Sequence, residues 1–269
     1  MSLSIFDDPA PMARMRLAYG DAEQQFGDLR LPQAASPWPL VLLVHGGYWR
    51  ARYDLEYFGH AAAALTEHGY ATWNIEYRRV GDDGGGWPGT FLDVAAAADY
   101  VEQLAQRFPI DLQHIIVLGH SAGGHLALWL AGRRHLPTTS HLYQPQPLMV
   151  RGVISLAGVC DLRRAWELGL SNGAAAELLG GSPYDYPERY AAASPAALLP
   201  LGVRQVLLHG DQDMDVPLSL STDYASQAAA HGDVTSMVTL EGAEHFGLVD
   251  PYSTVWEHVL GWVERMAEC

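Results

Sequence analysis

Residues 115–131 read IIVLGHSAGGHLALWLA, and their order of residue types constrains the chain more than any other stretch. The aliphatic run has the length and character of a buried strand, and the apolar run that follows is long enough for a helix. Between the two, Gly119-His120-Ser121-Ala122-Gly123 leaves about one residue in which to change direction. So abrupt a turn forces Ser121 into a sparsely populated backbone conformation, at a cost of order 1–3 kcal/mol. Glycines at 119 and 123 omit the Cβ atoms that would collide at such a corner. The turn lifts a hydroxyl out at the carboxyl edge of a sheet, where open α/β sheets place ligands. A serine that only capped a helix would need no paired glycines. Ser121 is therefore expected to be a nucleophile.

A serine hydroxyl attacks only when a base takes its proton, and that base must be oriented by a third group. For a serine on a strand-to-helix corner, an acid and then a histidine follow later in the chain. The segment VLLHGDQDMDVP (206–217) ends a late strand and offers Asp211, Asp213 and Asp215. Asp213 is the preferred acid and Asp211 the runner-up; one of the other two is expected to cap the turn or face solvent. Of the twelve histidines, His245 in SMVTLEGAEHFGLVD (236–250) lies downstream of Asp213 on a late-strand loop among small residues. His231 ends the preceding helical run and His258 lies within the last one, so His245 is the expected base. The segment LLVHGGYW (42–49) places two glycines just after a strand that should face the corner. The oxyanion hole is expected from Gly46, Gly47, Tyr48 and Ala122, with N–H groups from the last three and Gly46 supporting the turn. One such donor contributes about 3 kcal/mol to lowering the barrier.

Working outward, short β-rich runs (MRLAYG, FGDLRLP, PLVLLVHG, YATWNIEYRR, HIIVLGH, VRGVISLAG, RQVLLHGD, SMVTLEG) alternate with helical runs such as FLDVAAAADYVEQLAQRF and STVWEHVLGWVERMAE. In the last of these, Val255, Val259 and Val263 recur every four residues. Continuous Val/Ile/Leu strands separated by helices predict an α/β fold with a mostly parallel central sheet of about eight strands and helices on both faces. The first two strands alternate more and suit an antiparallel edge. One domain is expected over residues 1–269. Residues 161–200 break the alternation between two strands and are the expected excursion, or small lid, over the site.

The balance of 16 basic against 31 acidic residues gives a formal charge of −15. That argues against nucleic acid, whose phosphates need Lys and Arg to displace counterions, and against anionic membrane surfaces. Two cysteines make no disulfide framework; Cys160 is expected to be buried and Cys269 mobile. The first fifteen residues lack a basic region followed by an apolar core, and no apolar run approaches the ~20 residues that cross a bilayer. A soluble, cytoplasmic protein is the expectation. Gly84, Gly86 and Gly89 satisfy G-x-G-x-x-G, but Pro88 has no N–H, Trp87 crowds the approach and the acidic Glu102 falls inside a helical run. A dinucleotide site is not expected there. His120 and His125 are five apart and not on one helical face, so no metal or other cofactor is expected. Arg78 and Arg79 point differently, one of them towards Glu76 or Asp93.

With HGGYW (45–49), GHSAG (119–123), HGDQDMDVP (209–217) and EHFG (244–247) in this order, the chain resembles the α/β-hydrolase superfamily. Within it, the chain looks most like hormone-sensitive-lipase-like esterases and arylformamidases (kynurenine formamidases), from about residue 27 to the end. His45–Trp49 match the oxyanion motif, written HGGG in the esterases and HGG plus an aromatic pair in the formamidases. Glu76 stands where the esterases' D-Y-R-L-A-P has Asp, and RRVG replaces RLAP. The resemblance implies the α/β-hydrolase fold with a small cap or none, and a Ser121–His245–Asp213 triad that cleaves small carboxylic esters through an acyl-enzyme. Its nearest rival is hydrolysis of N-formylkynurenine; a hydrolase-fold protein that binds without catalysis is the third reading. The expected partner is a small ester or amide, held in a pocket lined by Tyr48, Trp49, Trp87, His120 and Phe246. No sequence feature sets an oligomeric state.

Overall fold

Eight strands form one sheet in the order β1-β2-β4-β3-β5-β6-β7-β8, in a computed structural model that describes Ile5 and residues 9–268. Cys269 and seven residues of the amino-terminal stretch read above (1–4 and 6–8) lie outside the described residues. The strands are β1 (Met15–Ala18), β2 (Phe26–Arg30), β3 (Trp38–Val44), β4 (Ala71–Ile75), β5 (Ile110–His120), β6 (Gly152–Leu156), β7 (Arg204–Gly210) and β8 (Thr235–Leu240). As the sequence suggested, β1 and β2 are the antiparallel members, β1 alternating half-buried and exposed residues at the edge. From β4 to β8 every pairing is parallel, with Leu42 of β3 set between Trp73 and Val117.

The helices are α1 (Gly59–Glu67), α2 (Gly89–Asp99), α3 (Val101–Arg107), α4 (Ala122–Gly132), α5 (Leu162–Glu167), α6 (Ala174–Leu179), α7 (Pro187–Ala193), α8 (Ser219–Ala230) and α9 (Trp256–Glu268). Successive residues of β3 point to opposite faces, and each face has its own core. Leu40, Leu42 and Val44 join α2, α3, α4 and α8, while Val41 and Leu43 join α1 and α9. Burial on both faces is why the central strands read as unbroken aliphatic runs. Val259 and Val263 of α9 and the preceding Val255 are all buried. Cys160 is fully buried, and burial pushes its thiol up to about 12. Among the described residues no helix is long and apolar enough to cross a membrane.

Residues 161–200 separate β6 from β7 and fold as α5, α6 and α7 with 3-10 turns at Leu170–Asn172 and Pro195–Leu198. They dock on α4, which is buried along its whole length. The polar member of that helix, His125, is satisfied at both nitrogens. Trp49 donates its indole N–H to Nδ1 (3.1 Å), and Nε2–H donates to the carbonyl of Ala193 (2.9 Å). A proton on Nδ1 would oppose the Trp49 donor in a fully buried site. Burial accordingly lowers the pKa of His125 to about 4 from the ordinary 6.5.

The folded value lies below the free one, so the unfolded chain takes up this proton first and stability falls as pH drops from about 6.5 towards 4. Between about pH 7 and pH 4.5, His125 is expected to remove about 2 kcal/mol of unfolding free energy. Urea unfolding at the two pH values checks this: His125→Leu should be less stable at neutral pH but lose correspondingly less on acidification.

Candidate active site

Ser121 joins β5 to α4 with φ 57° and ψ −121°, a conformation L-residues rarely adopt. Its N–H donates to Leu156 (2.8 Å), and its carbonyl accepts from His125 (3.2 Å) and Val159 (3.3 Å), so the strained residue is anchored to β6 and to its own helix. Both flanking glycines are sterically required. A Cβ on Gly119 would run into the carbonyl of Gly123, and one on Gly123 into the carbonyls of Val44 and His45.

The loops after β7 and β8 bring Asp213 and His245 together. His245 donates Nδ1–H to Asp213 Oδ2 at 2.6 Å. Asp213 Oδ1 accepts the backbone N–H groups of Asp215 (2.9 Å) and Val216 (2.8 Å), and His209 Nε2 lies 3.4 Å from Oδ2. Burial of this carboxylate works against its ionisation, but the hydrogen bonds from His209 and His245 outweigh it and hold the group well below the usual carboxylate range. With Nδ1 donating, the neutral imidazole leaves Nε2 as a proton acceptor. The runner-up, Asp211, is exposed and braces the turn after β8 by accepting from Gly242 N–H (2.8 Å). Asp215 is also exposed, and its backbone carbonyl accepts the Tyr48 hydroxyl (2.5 Å). Ligand atoms of Asp213, Asp215 and His245 lie within 4.8 Å of one another. A metal ion there would have to displace the proton of the 2.6 Å bond.

Gly47, Tyr48 and Trp49 have φ of 109°, 51° and 58°, three consecutive left-handed residues that curl the loop after β3 back over Ser121. Among the described residues, the N–H groups of Gly47, Tyr48 and Ala122 have no hydrogen-bond partner. Gly46 differs: its N–H donates to the Tyr57 hydroxyl (2.6 Å), and a Cβ there would lie 2.8 Å from that of Ser121. Gly46 thus holds the turn and has no N–H to spare. Upstream, His45 Nδ1 lies 2.8 Å from Gly46 O and Nε2 lies 2.9 Å from Glu76 Oε1, the ring stacks on Tyr77 at 4.4 Å, and the His45 carbonyl accepts the Tyr77 hydroxyl (2.8 Å). Burial opposes ionisation of Glu76, but His45 and Arg79 (3.4 Å) hold it below the usual range. Arg78 instead grips Asp93 with two bonds of 2.7 Å.

Ser121, His120, His245, Tyr48 and Phe246 open on one cavity of about 160 Å³. Two expected lining residues lie elsewhere. Trp49 is 1% exposed, its indole turned away from the cavity to reach His125 inside the core. Trp87 packs edge-on against Phe91. Sequence reasoning missed Tyr53, Tyr57, Arg50 and Ser171, which also line the cavity. Tyr57 had a weak signal, since Asp54 caps a short turn (Leu55–Phe58) just after the glycine loop by accepting from Glu56 N–H (2.9 Å). Arg50 and Ser171 had none: the guanidinium crosses 121 residues to donate to Ser171 Oγ (2.9 Å) and Ser171 O (2.8 Å), and pairs with Glu177 at 2.6 Å. In GGGWPG the N–H groups of Gly85, Gly86 and Trp87 are spent on Asp82, Thr90 and Leu178, leaving no phosphate cradle.

Comparison with known proteins agrees with this architecture. Residues 28–227 match the family model described as BD-FAE. The chain is similar to esterase LipC of Mycobacterium tuberculosis, 28% identical over 251 residues that cover 88% of this chain and 60% of that protein. It is also similar to the kynurenine formamidase of Danio rerio, 30% identical over 152 residues, 55% of this chain and 47% of that one. The chain therefore spans about half to three fifths of the length of these curated relatives. Among solved structures, a truncated carbohydrate esterase from gut microbiota superposes with a TM-score of 0.81 at 21% identity, covering 97% of this chain and 98% of its own. A butyrate-bound esterase from Thermogutta terrifontis gives 0.72 at 20% identity, covering 93% and 92%. These two likenesses establish the α/β-hydrolase fold. The family model matches well over half of the chain, and by that match the chain belongs to the BD-FAE family.

Proposed function

We propose that the protein is a serine acyl hydrolase acting on small carboxylic esters. The observation that carries this reading is the set of three unpartnered N–H groups, on Gly47, Tyr48 and Ala122, around a serine held at a strained corner. Gly47 and Tyr48 are half-buried against the cavity and Ala122 is buried, and unpartnered amides at this place match what a tetrahedral oxyanion needs. The mechanism follows from the groups available. Ser121 Oγ attacks the ester carbon as His245 Nε2 takes its proton, and the carbonyl oxygen becomes an anion facing the three amides. Collapse expels the alcohol, which takes the proton back from His245. Water then repeats the sequence on the acyl-serine and releases the acid. Asp213 keeps the proton on His245 Nδ1 and stabilises the imidazolium. A cavity of about 160 Å³ is near the ~150 Å³ that takes up benzene in an apolar protein core, so it suits a short acyl chain or one ring.

The similarity to a kynurenine formamidase favours a second reading, in which the scissile bond is an aryl formamide. The same groups serve, because formyl is the smallest acyl group. Initial rates on p-nitrophenyl acetate and on N-formylkynurenine rank the two; a higher kcat/KM on the formamide would overturn the ester preference. A binding protein without catalysis would leave Ser121 inert.

Intact-mass measurement after treatment with a fluorophosphonate is expected to show a single adduct in the native protein and none in Ser121→Ala, whose turnover should fall to background. Wild-type rates in that variant would remove the mechanism. Asp213→Asn keeps the shape but favours the wrong imidazole tautomer, and should lower kcat about 10³- to 10⁴-fold with KM little changed in steady-state kinetics.

A further inference from the structure

Four separate segments meet behind the nucleophile through one line of hydrogen bonds. Gly46 N–H donates to the Tyr57 hydroxyl at 2.6 Å, that hydroxyl lies 3.0 Å from His120 Nδ1, and His120 Nε2 lies 3.0 Å from the backbone carbonyl of His245. We propose that Tyr57 and His120 are positioning residues that lock the oxyanion loop and the base-bearing loop to each other across the residue next to Ser121.

The direction of every bond is fixed by elimination. The carbonyl of His245 only accepts, so His120 carries its proton on Nε2. His120 is fully buried, and burial together with the neighbouring His245 keeps its pKa well below the ordinary value, so the ring has no second proton. Nδ1 then accepts, Tyr57 must donate to it, and the lone pair left on the phenol oxygen takes the Gly46 N–H. Reversing one member strands another among buried groups, where an unmade hydrogen bond is costly. The line therefore has one stable state.

Its placement gives it a function. Gly46 immediately precedes Gly47 and Tyr48, whose unpartnered N–H groups are the proposed oxyanion donors. His120 immediately precedes Ser121, and its ring lies 4.5 Å from that of His245. Tyr57 is itself held, because Glu76 accepts Leu55 N–H (3.2 Å) and Asn74 donates to Leu55 O (2.9 Å). Nucleophile, base and oxyanion donors thus share one frame pinned to the ends of β3, β4 and β5. Misplacement by about 1 Å among such groups lowers turnover by about 10²-fold.

This inference rests on Ser121 being the nucleophile, so Ser121→Ala is measured alongside. Tyr57→Phe keeps the ring and removes the link; His120→Leu removes both the acceptor for Tyr57 and the donor towards His245. Each is expected to lower kcat per fluorophosphonate-titrated site by about 10- to 100-fold with KM within about twofold. The double variant should be no slower than the slower single one, because either change opens the same line. A kcat within about twofold of wild type in Tyr57→Phe, or losses that multiply in the double variant, would overturn the link. If Ser121→Ala keeps its turnover, the catalytic reading fails instead. A readout independent of variant folding is the ¹⁵N shift of His120 in the native protein. It should report a bare Nδ1 and a protonated Nε2 at neutral pH; the opposite tautomer or a doubly protonated ring would sink the proposal.

Discussion

The backbone of Gly123 touches the carbonyls of Val44 and His45 with no side chain between them, and the rest of the site depends on that contact. It sets the first turn of α4 directly against the end of β3. The Ala122 amide and the loop after β3 can then face one point in space. Any side chain at 123 would push the helix outward and separate the two. The contact also compels the left-handed backbone of Ser121, a strain of order 1–3 kcal/mol. What sustains it is the burial of α4 from end to end. Leu126, Leu128, Trp129 and Leu130 are each at most 3% exposed, and one such side chain contributes about 1.5–3 kcal/mol. Burial exceeds the strain several-fold.

Around this corner the charges are arranged in two buried pairs with different freedoms. His45 and Glu76 face each other with every polar atom engaged: Glu76 also takes the N–H groups of Leu55 and Tyr77 and lies beside Arg79. Such a closed set favours one arrangement, because removing a single partner leaves a buried charge exposed to a penalty of about 3–5 kcal/mol. His245 and Asp213 share the same chemistry on the carboxylate side, yet the imidazole borders the cavity. One pair is enclosed on every side and the other has a face turned to the cavity. The neutral His120 ring lies beside His245 without adding charge.

Much of this was legible in the chain itself. Aliphatic runs too continuous for a half-exposed sheet meant strands covered on both faces, and the eight-stranded sheet follows that reading, including its antiparallel first two members. The glycines around Ser121 could be read because a missing Cβ is a direct statement about space. Trp49 could not. Its neighbours suggested a pocket wall, but three left-handed residues in a row turn the indole into the core, and backbone angles of that kind leave no mark on a tryptophan. Trp87 was equally silent, since its packing on Phe91 depends on how α2 begins. Tyr57 was passed over because its work lies in what its hydroxyl reaches, and none of those partners is near it in the chain.

The bonds from Arg50 to Ser171 and Glu177 tie residues 161–200 to the loop after β3. Ser171, with φ 47° in a short turn of residues 161–200, is one wall of the cavity and is suspended from the remainder by this guanidinium. Ser121, Asp213 and His245 lie on other elements, at the ends of β5, β7 and β8. A change of shape in residues 161–200 therefore moves one wall of the cavity and leaves the opposite wall in place.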